Sequence, residues 1–309
     1  MPSRREILAR EVAEKLRLEE LVKPGIRKIF SRVVDDFRVT VARTGQPQEV
    51  TRYRKSFETL LEEHYRRVQK AFSGMILQQN GVLTFGALRA KQGKQDATAA
   101  AAEEESKIKE LIAAIFLLWD DRHAPVQAKF IVDTTAKDMD DAISQGRQAL
   151  QEEGKPVDNR SLAATAAAIL KRILRGRVDL IAVTETQTAA ETAKAIEAST
   201  AARVLIPGIP LPRDIVPLLE PTVTPTPQPG AGPRITPQQS VLKKSWIDLR
   251  DNKVRATHRE AGRRYGAASI PVNEAFIVGS SRMMFPGDTS LGAPVREIAH
   301  CRCSAQYIF

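Results

Sequence analysis

The sequence predicts an α+β protein: a mainly α-helical N-terminal and middle region with a small C-terminal helix-plus-antiparallel-strand module. Three observations predict it. Apolar residues recur every three or four positions through most of the chain before Pro207, which is the period of one helix face. Aromatic residues make up only 5% of the chain and alanine-rich stretches are frequent, favouring helix–helix packing over a large β-sandwich. Near the C-terminus, short apolar runs are bounded by Gly, Pro and Ser, as strands are. With 309 residues, 42% of them hydrophobic, the chain can bury a core and hold two domains, or one with a long helical extension.

Residues 1–90 form the first helical region. Val22, Ile26, Ile29, Val33, Phe37 and Val41 share one helix face until Gly45-Gln46-Pro47 interrupts the pattern. A second stripe follows at Phe57, Leu60, Leu61, Tyr65, Val68, Phe72 and Ile76, ending near Asn80-Gly81. The backs of these helices carry Arg52, Arg54, Lys55, Arg66, Arg67 and Lys70, read as solvated faces. The middle helical region spans 91–205. Its start, 91–106, reads as mobile or weakly helical. From Ser106 a stronger helix places Ile108, Leu111, Ile112, Ile115 and Trp119 together, and Pro125 is expected to stop it. Further helices are expected over 126–153, from Ser161 to Leu174 with Asn159 or Ser161 as cap, and from Arg177 to Ala202.

The composition changes sharply at 206–240. Ten of the 18 prolines lie between Pro207 and Pro237. Proline fixes φ and removes a backbone donor, so this segment reads as an extended linker or arm, either a disordered insertion or a strap along a neighbouring subunit. The C-terminal module occupies 241–309. Trp246 to Arg264 reads as a helix, with Asp251 as N-cap and Asp251/Arg255 at i,i+4 spacing. Ala275–Gly279 and Met283–Phe285 read as strands joined by a Gly-Ser-Ser turn; Pro286-Gly287-Asp288 is a turn, and Ala299–Phe309 forms the last strand.

Forty-seven Lys and Arg against 37 Asp and Glu leave a formal net charge of +10. Such a balance favours phosphate backbones and acidic surfaces without defining a site. Met1 to Lys15 alternates charge with single apolar residues, unlike a signal peptide, and the longest apolar run, Leu111 to Trp119, is too short for a bilayer, so no membrane partner is expected. Two cysteines, Cys301 and Cys303, make no disulfide framework, and folding in a reducing cytoplasm is expected. The sequence carries no phosphate-cradling Gly-rich loop, no His-Glu-x-x-His and no Gly-x-Ser-x-Gly, which argues against an ATP-driven motor or a familiar hydrolase.

Five features in order carry a resemblance. Trp246 is followed by Asp251 and then Val254-Arg255-x-x-His258; Gly262 comes next, then the apolar strand Phe276–Val278, the turn Pro286–Asp288, and Cys301-Arg302-Cys303 near the end. Upstream, Ile181-Ala182-Val183-Thr184-Glu185-Thr186 matches an Ile-Ala-x-Thr-Glu-Thr helix entrance. Over roughly 125–309 the chain resembles the phage Mu protein F-like family of minor head, or head morphogenesis, proteins. It departs from the pattern in having His300 where Asn usually precedes Cys-Arg-Cys, and in the Pro-rich insertion. The resemblance implies a non-enzymatic structural protein of a tailed bacteriophage, assembled in the host cytoplasm and built into the virion inside the head near the portal vertex. It implies several copies in a ring, with portal protein, major capsid or scaffolding protein and phage DNA as partners. It also marks Trp246, Asp251, Arg255, His258, Cys301, Arg302 and Cys303 as structural signature residues.

On a strand Cys301 and Cys303 share a face, and His258 is a natural third zinc ligand. Arg255 cannot ligate, so a fourth donor is lacking. Two buried thiols packing beside a histidine is the preferred reading, no cofactor is expected, and zinc at His258, Cys301 and Cys303 is the alternative. The same three residues have the types for thiol catalysis, but the sequence offers no third orienting group. Glu185 reads as a capping or paired carboxylate. Lys243 to Arg264 holds eight basic and three acidic residues. Helical spacing aligns Arg255, Arg259 and Arg263, with Lys244 at the helix entrance, as a candidate phosphate or partner contact weighed equally against a solvated face. A zinc-stabilised DNA-binding protein is therefore the competing functional reading, and a metal- or thiol-dependent enzyme carried in the particle a third.

Overall fold

The apolar stripes do form helices, and two of the helices run through the breaks that the sequence suggested. The computed structural model describes residues 4–79, 99–205, 243–249, 251–272 and 274–308. In chain order the elements are α1 (Arg4–Thr44), a 3₁₀ turn (Thr51–Tyr53), α2 (Arg54–Phe72), α3 (Met75–Gln79), α4 (Ala99–Glu152), α5 (Asn159–Leu205), β1 (Lys243–Ile247), α6 (Ala256–Ala267), β2 (Ile270–Pro271), β3 (Phe276–Val278), β4 (Ser281–Met283), α7 (Val295–Ile298) and β5 (Ser304–Ile308). The protein is mostly helical with a small antiparallel C-terminal region, an α+β fold as expected. The Pro-rich arm at 206–240, the helix end at Asn80-Gly81 and the first part of the stretch at 91–106 lie outside the described residues.

Pro125 does not stop a helix: α4 is continuous for 54 residues with Pro125 inside it. An internal proline costs about 3 kcal/mol. Ile108, Ile112, Ile115, Phe116, Trp119 and Ala124 are buried before it, and Ala128, Ile131 and Val132 after it, so the helix has packing to gain on both sides. Each fully buried large side chain contributes about 1.5–3 kcal/mol, enough to outweigh the break. The separate helices expected at Ser161–Leu174 and Arg177–Ala202 are likewise one, α5, of 47 residues. Its cap is Asp158 rather than Asn159 or Ser161, since Asp158 Oδ1 accepts from the N–H groups of Arg160 (2.8 Å) and Ser161 (2.9 Å). No described helix is long and apolar enough to cross a membrane.

The chain packs into two compact units, and neither is contiguous in sequence. One comprises residues 17–65 and 121–182. Its core holds the first expected stripe, Val22 through Val41, together with Phe57, Leu61 and Tyr65 of α2. Phe30 meets Phe57 edge-on, with ring centroids 5.4 Å apart. Polar ties support it: Arg177 donates to Asp138 (2.6 Å) and Thr135 (3.0 Å), and Lys23 pairs with Asp179 at 2.9 Å. Gly146 lets α4 approach α5, since a Cβ there would stand 3.2–3.3 Å from Ala166.

The other unit comprises residues 1–16, 66–120 and 183–309. Here β1 pairs antiparallel with both β2 and β5, placing Trp246 opposite Ala305 and Ile247 opposite Ser304. The hairpin β3–β4 pairs Phe276 with Met283 and turns at Gly279, whose φ of 59° suits glycine. Trp246, Val254, Ala261, Tyr265, Phe276, Val278 and Met283 form one apolar cluster with the two cysteines. Ile76, Ala195, Ala198, Phe285, Ala305 and Tyr307 form a second.

Candidate functional site

The expected helix from Trp246 to Arg264 is a strand, a turn and a shorter helix. Trp246 lies on β1 because pairing with β5 satisfies the backbone there, and α6 begins only at Ala256. Asp251 does not cap α6. Its Oδ1 accepts from the N–H groups of Lys253 and Val254, closing the turn before the helix, and its Oδ2 pairs with Arg302 at 2.7 Å instead of with Arg255. Arg255 turns its guanidinium onto the carbonyl of Ala299. Gly262 faces Asp248, and a Cβ at that position would sit 2.2 Å from the carboxylate oxygen. Glu185 is buried in the interior of α5 and caps no helix start, which also removes the helix entrance expected at Ile181–Thr186.

These choices bring the signature segments together. The N–H of His300 donates to Thr184 Oγ1 at 3.4 Å. Gln187 donates to the carbonyl of Cys303 at 2.7 Å and to that of Pro286 at 3.4 Å, and Thr188 reaches the carbonyl of Gly287 at 3.5 Å. Thus α5 supports both the Pro-Gly-Asp turn and the Cys-Arg-Cys segment. His300 has φ 54°, the left-handed region. His is among the few non-glycine types enriched there, so the residue suits the conformation.

At the centre stand His258, Cys301 and Cys303, respectively 1%, 2% and 1% exposed. The cysteines precede β5 rather than lie on it, yet both sulfurs converge on one nitrogen. Cys301 Sγ is 3.6 Å and Cys303 Sγ 3.5 Å from His258 Nδ1. All three potential ligand atoms lie within 4.8 Å of one another. The other ring nitrogen, Nε2, is 3.2 Å from Glu297 Oε2, and the Glu297 carboxylate also accepts from Thr257 Oγ1 at 2.9 Å. Trp246 packs edge-on against the imidazole, with centroids 5.4 Å apart. The hydrogen bond from Cys303, aided by His258, pulls the Cys301 thiol well below its ordinary pKa against the effect of burial. Cys303 is pushed well up by Cys301 and by burial. Glu297, on the single turn α7, is a carboxylate beside His258 that the sequence did not reveal. Nothing near Glu297 in sequence marks it, because only the fold carries it to His258.

The basic stripe fares differently. Lys244 is buried at 1% exposure, with Nζ donating to the carbonyl of Met284 at 2.7 Å and lying 4.9 Å from the centre of the Phe276 ring. Burial lowers its pKa to about 7. It is no surface phosphate contact. Arg259 and Arg263 are exposed on α6, and Arg263 pairs with Glu260 at 2.7 Å.

A second polar centre lay unread in the sequence. Glu11 Oε1 accepts from Lys194 (2.7 Å) and Ser304 (2.5 Å) and is 3.0 Å from Lys15. Glu191 Oε1 meets Lys15 (2.7 Å) and Lys194 (2.9 Å), while its Oε2 accepts the Ala305 N–H at 2.9 Å. Burial raises the Glu11 pKa, but Lys194 and Lys15 outweigh it and hold the carboxyl well below the usual range. The signal was present as Glu/Lys spacings of four (11, 15) and three (191, 194), which occur equally on solvated helices.

No family model, no curated protein and no solved structure matches this chain.

Proposed function

We propose that this chain is a non-catalytic structural protein of a tailed-bacteriophage head. In this reading it is a minor component in several copies near the portal vertex, assembling with portal and with capsid or scaffolding subunits, and serving head morphogenesis and the packaging or ejection of DNA. One observation carries the reading: segments that define the Mu F-like resemblance, scattered from Thr184 to Cys303, converge on one cluster in which each signature residue has a structural task. Trp246 walls the core, Asp251 holds Arg302, Arg255 holds the Ala299 carbonyl, Gly262 admits Asp248, and α5 supports the Cys-Arg-Cys segment. Positions that hold backbone and core in this way suit a docking scaffold better than a reaction centre. The burial of both sulfurs supports the same conclusion, because a thiol nucleophile must reach its substrate.

The competing DNA-binding reading loses ground on α6. With Lys244 and Arg255 engaged inside the module, only Arg259 and Arg263 of the expected stripe face outward. DNA is then a neighbour in the filled head, attracted by overall positive charge.

Location decides the matter. The expected result is that the protein co-sediments with portal-containing heads and is seen near the portal in intact particles by electron microscopy. Absence from purified particles, or turnover by the purified protein that disappears in Cys301→Ser while assembly survives, defeats the proposal.

A further inference from the structure

We propose that His258, Cys301 and Cys303 bind one zinc ion inside the C-terminal module, with the Glu297 carboxylate beside the imidazole that helps to hold it. Zinc bound tetrahedrally at about 2.3 Å from sulfur and about 2.0–2.1 Å from nitrogen sets the sulfur-to-nitrogen edge of the tetrahedron at about 3.5–3.6 Å. The two edges in this protein are 3.6 and 3.5 Å. The donors therefore already stand at the spacing that a shared tetrahedral cation demands.

His258 Nε2 lies 3.2 Å from Glu297 Oε2 in a geometry that makes no hydrogen bond, while Nδ1 faces both sulfurs. Two buried sulfurs lie equally close to that one nitrogen. A cation uses all three donors at once. A carboxylate beside the second ring nitrogen is a common companion of a metal-bound histidine, and here Thr257 donates to that carboxylate. Two thiolates also neutralise a divalent charge, so the loaded site is cheap to bury. Sulfur and imidazole donors select zinc over magnesium, calcium or manganese.

Arg255, which occupies the neighbouring helical position, is committed to the Ala299 carbonyl and takes no part. The protein thus supplies three ligands, and the fourth corner falls to a non-protein donor, water in the simplest case. Binding takes both sulfurs as thiolates, so any thiol proton they still carry passes to solvent, and it involves no redox change.

The test uses the full-length protein, stripped with chelator under reducing conditions and reloaded with zinc or cobalt(II). About one ion per chain is expected to survive dialysis. Cobalt should give intense thiolate-to-metal charge-transfer absorption with visible bands of tetrahedral strength. Cys301→Ser and Cys303→Ser should abolish both signals. Glu297→Gln should keep the tetrahedral spectrum while weakening affinity roughly 10–100-fold. Should the cysteine variants fail to fold, the wild-type cobalt spectrum and the Glu297→Gln affinity decide. A cobalt spectrum of octahedral weakness, a substoichiometric zinc content after dialysis, or metal retained unchanged by folded cysteine variants overturns the proposal; a thiolate–imidazolium pair that binds no metal would give the first two results. Metal loading and head association are read separately, so either proposal can fail while the other stands.

Discussion

At Glu197 burial and hydrogen bonding pull in opposite directions. Burial pushes its pKa up to about 7, although the N–H groups of Gly74, Ile76 and Leu77, at the start of α3, favour the ionised form. An acid whose pKa is raised on folding contributes stability that is fully present below its unfolded value near 4.5, and that is lost as pH rises toward 7. The shift corresponds to about 3 kcal/mol across that window. Between pH 4.5 and 7 the wild type should therefore lose thermal stability relative to Glu197→Gln, whose side chain does not titrate. Asp288, also pushed up by burial, is common to both proteins and cancels in the comparison. Melting temperatures of the two proteins that run parallel over this range would disprove the assignment. Lys244 shows the reverse sign: its depressed pKa removes stability as pH falls from 10.5 toward 7, which leaves the lower window clean.

The elements show where local rules yield. In α4 the packing on either side of Pro125 overrides the helix-breaking residue, but the missing hydrogen bond still carries a cost. Pro125→Ala should raise stability by up to about 3 kcal/mol, measured by chemical denaturation. A loss instead would mean that the fold needs a bend at this position. Gly176, exposed within α5, offers a simpler case, because a Cβ there meets nothing within 4 Å. Gly176→Ala should stabilise by about 0.5–1 kcal/mol, and no gain would show that the helix is not continuous at that point. In the C-terminal region the helix expected from Trp246 gave way to β1 because a strand partner, β5, lies 57 or more residues away. Periodicity within a window carries no trace of such a partner. The hairpin β3–β4 and its turn at Gly279 were legible, since both strands are adjacent in sequence. The second strand, however, lies at Ser281–Met283 rather than at the expected Met283–Phe285, because Ser281 pairs with Val278 directly after a tighter turn.

For the molecule as a whole, Glu11, Lys15, Glu191, Lys194 and Ser304 join the N-terminal end of α1 to α5 and β5 through fully buried charges. Two cations face two carboxylates, so the group is balanced, and removing one member strands the others. Lys194→Met should cost about 3–5 kcal/mol, whereas Lys194→Met combined with Glu11→Leu should cost less than the sum of the two single changes. Strict additivity would show that the groups act independently. The Glu11 carboxyl, held below its ordinary pKa, contributes stability present above pH 4.5 and lost as acid protonates it.

The sequence by itself determined the α+β class, the apolar faces of α1 and α2, the β3–β4 hairpin and the list of residues in the signature cluster. Each of these is written in spacings of a few residues, where backbone geometry translates directly into pattern. Only the tertiary structure decided that Trp246 lies on a strand, that Lys244 is buried, that Glu297 stands beside His258, and that two cysteines outside a strand aim at one nitrogen. Those outcomes depend on residues far apart in the chain meeting within a few ångströms, and burial then changes what each group can do by removing the water that would otherwise solvate it.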